Sequence, residues 1–177
     1  MALDSDNVRV AVTGAVYVAP TGTAAPTDSD GTLDAAFEDL GYLSPDGVKE
    51  TLDKTTAQIR AWQNGALARE VVTEGTYGVE MTFIETKEAV LELYYGVAHI
   101  DGKISIDPRK TGGRQSYVID AIDGDSIERT YIPAGEITKV GERVLTSGKE
   151  TGYAITIVAY ADADAVVAIK WFSDLES

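Results

Sequence analysis

The chain has 177 residues, with 15 Lys and Arg against 29 Asp and Glu, so its formal net charge is -14. Nucleic-acid and anionic-membrane binding both depend on basic surfaces, so this balance argues against a protein that holds DNA by its phosphates or binds a membrane. With 44% apolar residues and no cysteine, we expect a single domain over residues 1–177, without disulfides or thiolate metal sites.

Alternation of apolar and polar residues predicts that the N-terminal part begins with a strand. Residues 8–18 carry valine at nearly every even position, which places Val10 and Val12 in the predicted core. Residues 1–7 are interpreted as an N-terminal arm. Residues 20–37 form a long irregular loop rich in Asp, Thr, Ala, Pro and Gly. Loops of this length in compact domains are usually functional or mobile.

A long hairpin is predicted over residues 48–85, with Asn64-Gly65 as its type I′ turn. Its second half alternates between a mostly apolar and a mostly polar face. The residues predicted to face the core are Val71, Tyr77, Val79, Met81 and Phe83. The polar face carries Glu70, Glu74, Thr76, Glu80 and Thr82. Such long strands would be poorly stable alone, so we expect them to pair with something large.

One helix is predicted around residues 87–95, with Thr86 as its N-cap and Gly96 just past its end. Its apolar stripe, which should pack on the sheet, consists of Val90, Leu91 and Tyr94. Further strands are expected over residues 117–123, 127–132, 136–146, 153–160 and 165–172, with Ile155 and Ile157 in the core. The predicted fold is therefore mainly β, a β-sandwich or open barrel of seven to nine strands with one helix.

Candidate chemistry is sparse. His99 is the only histidine, so neither a histidine metal cluster nor a well-supported serine triad can be assembled. Asp28, Asp30 and Asp34 surround Gly31 with oxygen ligands that suit Ca²⁺, but they lack the register of a calcium loop. A hydrolase that uses paired carboxylates is the enzyme alternative, and nothing in the spacing indicates such a pair. We expect no enzymatic activity, no metal and no cofactor.

Several segments together resemble the major tail tube proteins of long, non-contractile-tailed bacteriophages (siphophages), most closely those of phages that infect actinobacteria. The segments that carry the resemblance are Leu40-Gly41-Tyr42-Leu43-Ser44-Pro45-Asp46-Gly47-Val48, Ile59-Arg60-Ala61-Trp62-Gln63-Asn64-Gly65, Val72-Thr73-Glu74-Gly75, Ile84-Glu85-Thr86 and Leu91-Glu92-Leu93-Tyr94-Tyr95-Gly96. They cover residues 40–96 in a single order, and their combination is more specific than any one of them.

The resemblance implies a fold similar to the type VI secretion tube protein, in which a β-sandwich-like barrel is flanked by a helix. It implies hexameric rings that stack into a hollow tube, each subunit giving strands of its long hairpin to an inner β-barrel. Double-stranded DNA would pass through the lumen, and a tape measure protein would occupy it during assembly. Tail terminator and tail tip proteins would be further partners, the location would be the virion after assembly in the host cytoplasm, and no membrane would be involved. Some relatives carry a C-terminal immunoglobulin-like domain, which we do not expect here.

On this interpretation the polar face of Glu70, Glu74, Thr76, Glu80 and Thr82 lines the lumen, where carboxylates repel DNA phosphates. The candidates for contact between rings lie in the N-terminal arm and the long loop. They are Ala2, Leu3, Asp4, Thr21, Thr23, Asp28, Asp30 and Asp34. The alternative to a tube subunit is a head–tail connector, or another ring-forming β-sandwich virion protein that does not polymerise.

Overall fold

The structure, a computed structural model, describes residues 8–175. Eight strands form one antiparallel sheet. They are β1 (Thr13–Pro20), β2 (Glu38–Asp39), β3 (Leu43–Arg60), β4 (Leu67–Phe83), β5 (Arg114–Asp123), β6 (Ser126–Val140), β7 (Tyr153–Ala159) and β8 (Ile169–Phe172). One α-helix, α1 (Glu88–Tyr95), and a 3-10 turn at Ser173–Leu175 complete the described elements. The mainly β prediction with one helix is therefore confirmed.

The sheet curls so that its two ends come together. Its strand order is β2-β1-β5-β6-β7-β4-β3, and β8 pairs with the part of β6 that β7 does not reach. The first and last strands of this order, β2 and β3, are joined by residues 40–42 alone. Because so few residues span only about 10 Å, the two ends of the sheet must lie close together. The architecture is thus a single curled, barrel-like sheet rather than two separate layers.

The concave face of this sheet holds the core. Its buried members include Val16, Leu40, Val79, Phe83, Val90, Tyr117, Ile132, Tyr153, Ile155 and Ile157. Leu91 and Tyr94 are half-buried and pack against this cluster. Even-numbered residues of β1, odd-numbered residues of β7 and the odd-numbered residues of β4 from Tyr77 to Phe83 point inward, as their alternation predicts.

Val10 and Val12 are not in the core, and this part of the sequence interpretation is wrong. Their side chains are 62% and 73% exposed. The backbone continues along β5, because the Val12 amide donates to the carbonyl of Ile122 and the Val10 amide to the carboxylate of Asp123. The strand pattern therefore extends past the end of the core, where no opposing layer covers the valines. The regular strand accordingly begins at Thr13 rather than at residue 8.

The helix ends as predicted but begins one residue later. Gly96 adopts a left-handed conformation with φ 65°, and its amide donates to the carbonyl of Glu92. The N-cap is Lys87, which makes no side-chain cap bond, while the Thr86 hydroxyl contacts the Tyr153 hydroxyl at 3.1 Å. Tyr94 donates to the carbonyl of Gly141 and thereby fixes the helix to the β6–β7 connection.

The segments predicted as strands over residues 127–132 and 136–146 form one strand, β6, which ends at Val140. Its first part pairs with β5 and its last part with β7, so a single long strand serves both halves of the sheet. The last strand is shorter than predicted, since residues 162–165 form a turn in which Ala165 has φ 63°. Among the described residues, no helix is long and apolar enough to cross a membrane.

Candidate functional site

The β3–β4 hairpin extends well beyond the sheet, and we call its protruding part, residues 51–77, the arm. Strand β7 pairs with β4 only from Gly78 to Phe83. The remainder of β4 reaches about 35 Å further, paired with β3 alone. All of residues 51–60 are exposed, and so are nearly all of residues 62–76. A two-stranded hairpin is only marginally stable in water, and no other element of the described chain supports the arm along this length.

A tight turn closes the arm. Asn64 and Gly65 both have positive φ, at 57° and 64°, as a type I′ hairpin turn requires. The turn is closed by the Ala61 amide, which donates to the carbonyl of Ala66 at 2.8 Å. Trp62 lies in the loop between β3 and β4, two residues before Asn64, and its side chain is 98% exposed. The indole therefore lies in solvent at the outermost point of the chain's longest element.

A β-bulge in β4 changes which side chains share a face. Thr55 pairs with Glu74 and Thr56 pairs with Val72, so Thr73 is an extra residue without its own partner. Its hydroxyl donates to the Thr55 carbonyl at 3.2 Å. Beyond an extra residue, the alternation of faces along the bulged strand is shifted by one. The simple odd and even assignment therefore holds for β4 only on the core side of Thr73.

Glu70 and Val71 are consequently on the faces opposite to those predicted. Glu70 pairs with Gln58 and accepts a hydrogen bond from the Thr56 hydroxyl at 2.7 Å, which places it on the face that continues the core. Val71 pairs with Ala57 on the other face, with Glu74. Cross-strand partners project from the same side of a sheet, so both assignments follow from the register.

The opposite, outer face of β4 carries Glu74, Thr76, Glu80 and Thr82, while Tyr77, Val79, Met81 and Phe83 are buried on the inner face. The outer face is not uniformly acidic, because Lys49 on β3 lies directly opposite Glu80. Opposite charges at paired positions of a sheet attract one another, so Glu80 has a positively charged cross-strand partner and Glu74, opposite Thr55, does not.

A charged cluster holds the base of the arm to the rest of the sheet. The Lys170 ammonium lies 2.7 Å from a carboxylate oxygen of Glu50 and 2.6 Å from one of Glu128. Glu50 also accepts a hydrogen bond from the Tyr77 hydroxyl at 2.9 Å. These contacts join β3 and β4 to β6 and β8, so they fix the direction in which the arm leaves the sheet.

The cluster shifts the pKa of its members. Burial alone would lower the pKa of Lys170, but the hydrogen bonds to Glu128 and Glu50 outweigh it and the pKa is raised. Burial, followed by the hydrogen bond to Glu50, raises the pKa of Tyr77 well above its usual range. Both groups therefore hold their protons at any pH near neutrality. Sequence spacing gave no sign of this cluster, because Lys170 and Glu50 come from opposite ends of the chain.

The long loop folds onto the convex face of the sheet, where Arg129 holds it. Arg129 forms two hydrogen bonds of 2.8 Å to the carboxylate of Asp120, and both side chains are buried. Its remaining terminal nitrogen donates to the carbonyl of Gly31 at 2.7 Å and contacts that of Asp28 at 3.4 Å. The hydrogen bond with Asp120 raises the pKa of Arg129 further above its usual range.

Contacts within the chain hold the rest of the long loop as well. Its residues make contacts within the chain: Thr23 donates to the Pro20 carbonyl, and the Asp34 carboxylate accepts from the Ala36 amide at 2.9 Å. Thr21, Asp30 and Asp34 remain exposed, whereas Asp28 is half-buried. The other proposed ring-contact residues, Ala2, Leu3 and Asp4, lie outside the described residues.

Residues suited to catalysis or metal binding are not brought together. Within residues 8–175, no group of three or more His, Asp and Glu side chains is arranged to hold a metal ion. His99 contacts the carboxylate of Glu88 at 3.0 Å, and its backbone amide donates to Glu92. These bonds fasten the segment after the helix to the helix itself, which is a structural role.

Comparison with known proteins identifies the relatives of the chain. A family model described as "Phage tail tube protein" matches residues 1–176. No curated protein sequence matches. Among solved structures, the sheath–tube complex of an extracellular contractile injection system (PVC, extended state) contains a similar chain. That chain is 8% identical, with a TM-score of 0.55 over 94% of this chain and 93% of that one.

Two further similarities have lower TM-scores. A chain of the native gene transfer agent virion is 12% identical over 79% of this chain and 91% of that chain, with a TM-score of 0.41. A chain of the anti-feeding prophage tube-terminating cap is 12% identical over 96% of this chain and 98% of that chain, with a TM-score of 0.44. At such identities, likeness to a solved structure speaks to the fold alone.

Proposed function

This chain belongs to the phage tail tube protein family and is a structural subunit of a tail tube, not an enzyme; from that premise we propose that six copies close into a ring and that rings stack into a hollow tube. The observation that supports ring closure is the pair of unpaired strand edges along the arm. In the described sheet, β3 is the last strand, and β4 loses its β7 partner beyond Gly78. Exposed strand edges of this length are templates for pairing with another chain.

The arms of neighbouring copies would pair edge to edge, so that the ring closes into one continuous barrel without free edges. The inner face of each arm carries Leu52, 64% exposed, and Val72, 55% exposed. These apolar side chains lie on the face that continues the core, where the body of a neighbouring copy would cover them. The outer face would then line the lumen.

Double-stranded DNA would pass through this lumen without being held. The candidate lumen residues are Glu74, Thr76, Glu80 and Thr82, now without Glu70, whose side chain is on the other face. Carboxylates repel phosphate groups. Lys49, opposite Glu80, would reduce the negative electrostatic potential at this wall of the lumen. A wall of threonines and partly balanced charges offers DNA few strong binding positions.

The proposal also includes further partners of the tube and contacts between its rings. The tape measure protein would occupy the lumen during assembly in the host cytoplasm, and terminator and tip proteins would close the tube ends in the siphophage virion. The loop residues Thr21, Asp30 and Asp34 are exposed and would contact an adjacent ring. In this proposal Ala2, Leu3 and Asp4 of the N-terminal arm would take part as well. Because Arg129 orders this loop in the isolated chain, it would meet the adjacent ring already folded, at a lower entropic cost.

Negative-stain electron microscopy of the purified full chain tests the proposal. We expect hollow filaments of uniform diameter, and six-fold symmetry in averaged end-on views of rings or short tubes. Single rings that never elongate would favour the connector function instead. Monomers at every concentration and salt condition tried would contradict both.

A further inference from the structure

The two most exposed aromatic side chains of the described chain lie at opposite ends of the same hairpin. Trp62, in the tip turn, is 98% exposed, and Tyr42, just before the start of β3, is 76% exposed. Tryptophan and tyrosine, together with arginine, are enriched among the residues that anchor protein interfaces. Within residues 8–175, neither side chain packs in the hydrophobic core.

The residues around Trp62 are complementary to the residues around Tyr42. Around Trp62, the side chains of Ile59 and Leu67 are 54% and 51% exposed, and Arg60 and Arg69 supply positive charge. Arg60 is held in place by hydrogen bonds to the Gly65 carbonyl and the Gln58 side chain. Leu67 and Arg60 are cross-strand partners on one face of the tip, and Ile59 and Arg69 are partners on the other, so each face beside Trp62 carries one apolar and one basic side chain.

The base of the hairpin carries carboxylates beside Tyr42 and Pro45, and the nearby Lys87 ammonium is paired with Asp39. The Tyr42 amide donates to the carboxylate of Glu85 at 3.2 Å, and Asp46 lies exposed in the irregular stretch between Leu43 and Val48 where the β3–β4 register shifts. Pro45 in this stretch is exposed too. An indole can pack on a tyrosine ring and a proline ring, while arginines pair with the neighbouring carboxylates.

Tip and base cannot meet within one chain, because β4 alone separates them by about 55 Å. A second copy displaced along the hairpin direction brings its tip to the first copy's base, and the same contact then repeats from copy to copy. Because this displacement is a translation without a closing rotation, the head-to-tail contact generates an open, linear stack. We propose that Trp62 of one copy docks against Tyr42 and Pro45 of a copy in the next ring. This rests on the proposed stacking of rings.

Substitution of the two aromatic residues tests the contact. Trp62→Ala and Tyr42→Ala should each leave a folded chain that forms rings, and should raise the critical concentration for filaments roughly tenfold or more, as loss of a binding anchor does. Trp62→Phe should restore much of the loss. Leu175→Ala, which removes a 79% exposed side chain beside the start of β6, is the matched control and should behave as wild type. If the wild type forms filaments and Trp62→Ala forms them at the same critical concentration, the inference is overturned.

Crosslinking tests the geometry directly, because the chain has no cysteine. Gln63→Cys combined with Asp46→Cys should give, on mild oxidation of filaments, a ladder of covalent multimers on a denaturing gel. Each single variant, and the pair Gln63→Cys with Ile100→Cys, should give no ladder. Assembled filaments of the Gln63→Cys and Asp46→Cys pair that yield only monomers would overturn the proposed contact. A wild-type chain that forms neither rings nor filaments would instead refute the proposed function.

Discussion

Glu70 and Glu74 lie on the same strand with even spacing, yet their side chains project from opposite faces of the sheet. The cause is the extra residue Thr73, which lies between them: Glu70 pairs with Gln58 on one side of it, and Glu74 pairs with Thr55 on the other. Glu70 is held on its face by the hydroxyl of Thr56. The two carboxylates of one arm therefore lie on opposite faces of β4. Substituting each of them tests which face lines the proposed lumen.

We predict that Glu74→Lys with Glu80→Lys slows DNA release from phage particles, because a cationic lumen attracts phosphates. Glu70→Lys reverses a single charge on the other face of the same strand and should leave release kinetics close to wild type. The measurement is the time course of DNA ejection in phages whose tubes have normal length by microscopy. Equal kinetics in the double variant, in Glu70→Lys and in the wild type would show that the outer face of β4 does not line the DNA path.

The buried pair of Arg129 and Asp120 should be essential to subunit stability. Arg129→Met leaves the Asp120 carboxylate buried without its partner, and we expect a loss of about 3–5 kcal/mol in the free energy of unfolding. The double variant Asp120→Leu with Arg129→Met removes both charges and should regain most of this loss. Urea denaturation followed by circular dichroism measures both values, and equal losses in the single and double variants would contradict the prediction.

The same variants should release the long loop. In both of them the carbonyls of Gly31 and Asp28 lose the donor that holds the loop on the sheet. Limited proteolysis should therefore cut within residues 21–37 in the single and the double variant, although the double variant is stable, and should spare the wild type. A loop that resists cleavage in both variants would mean that its other contacts suffice.

Gly96 should tolerate substitution less well than Gly148, although both have positive φ. A Cβ on Gly96 would lie 2.5 Å from the backbone carbonyl oxygen of Lys110, whereas nothing lies within 4 Å of one on Gly148. The left-handed conformation alone costs a non-glycine residue about 1–2 kcal/mol, so Gly148→Ala should lose about that much and Gly96→Ala clearly more. Urea midpoints compare the two, and equal losses would contradict a clash at Lys110.

Stability should decrease at alkaline pH. The pKa values of Tyr17, Tyr77, Tyr94 and Tyr117 are raised above the usual 10.0, chiefly by burial, and that of Lys170 is raised above 10.5. The folded state thus binds more protons than the unfolded state once the pH exceeds about 10, and the stabilisation is lost as the pH rises through the raised values. Urea midpoints should be constant from about pH 7 to about pH 9 and decrease above about pH 10. Tyr77→Phe should flatten this decrease, and a constant midpoint up to about pH 11 would contradict the prediction.

Local sequence patterns determined a large part of the fold. The period-two alternation in β4 and β7 identifies their buried faces, because a half-exposed strand needs apolar residues at every second position. Asn64-Gly65 marks the tip turn and Gly96 the end of the helix, since both positions require positive φ. The family resemblance likewise depends on short segments between residues 40 and 96, and the match to the tail tube family extends over residues 1–176.

What the sequence could not determine is where these local rules stop applying. The valines of residues 8–12 have the pattern of a core strand, but whether they are buried depends on whether another element reaches over them, and none in the described chain does. The bulge at Thr73 cannot be recognised from the sequence of β4 alone, because an extra residue is defined only by the register with the partner strand. The joining of Arg129 to the loop and of Lys170 to Glu50 likewise depends on tertiary distances. The sequence by itself therefore determined the strands, the turns and the family, and only the tertiary structure decided which carboxylates face the same way and which exposed side chains are left for another copy.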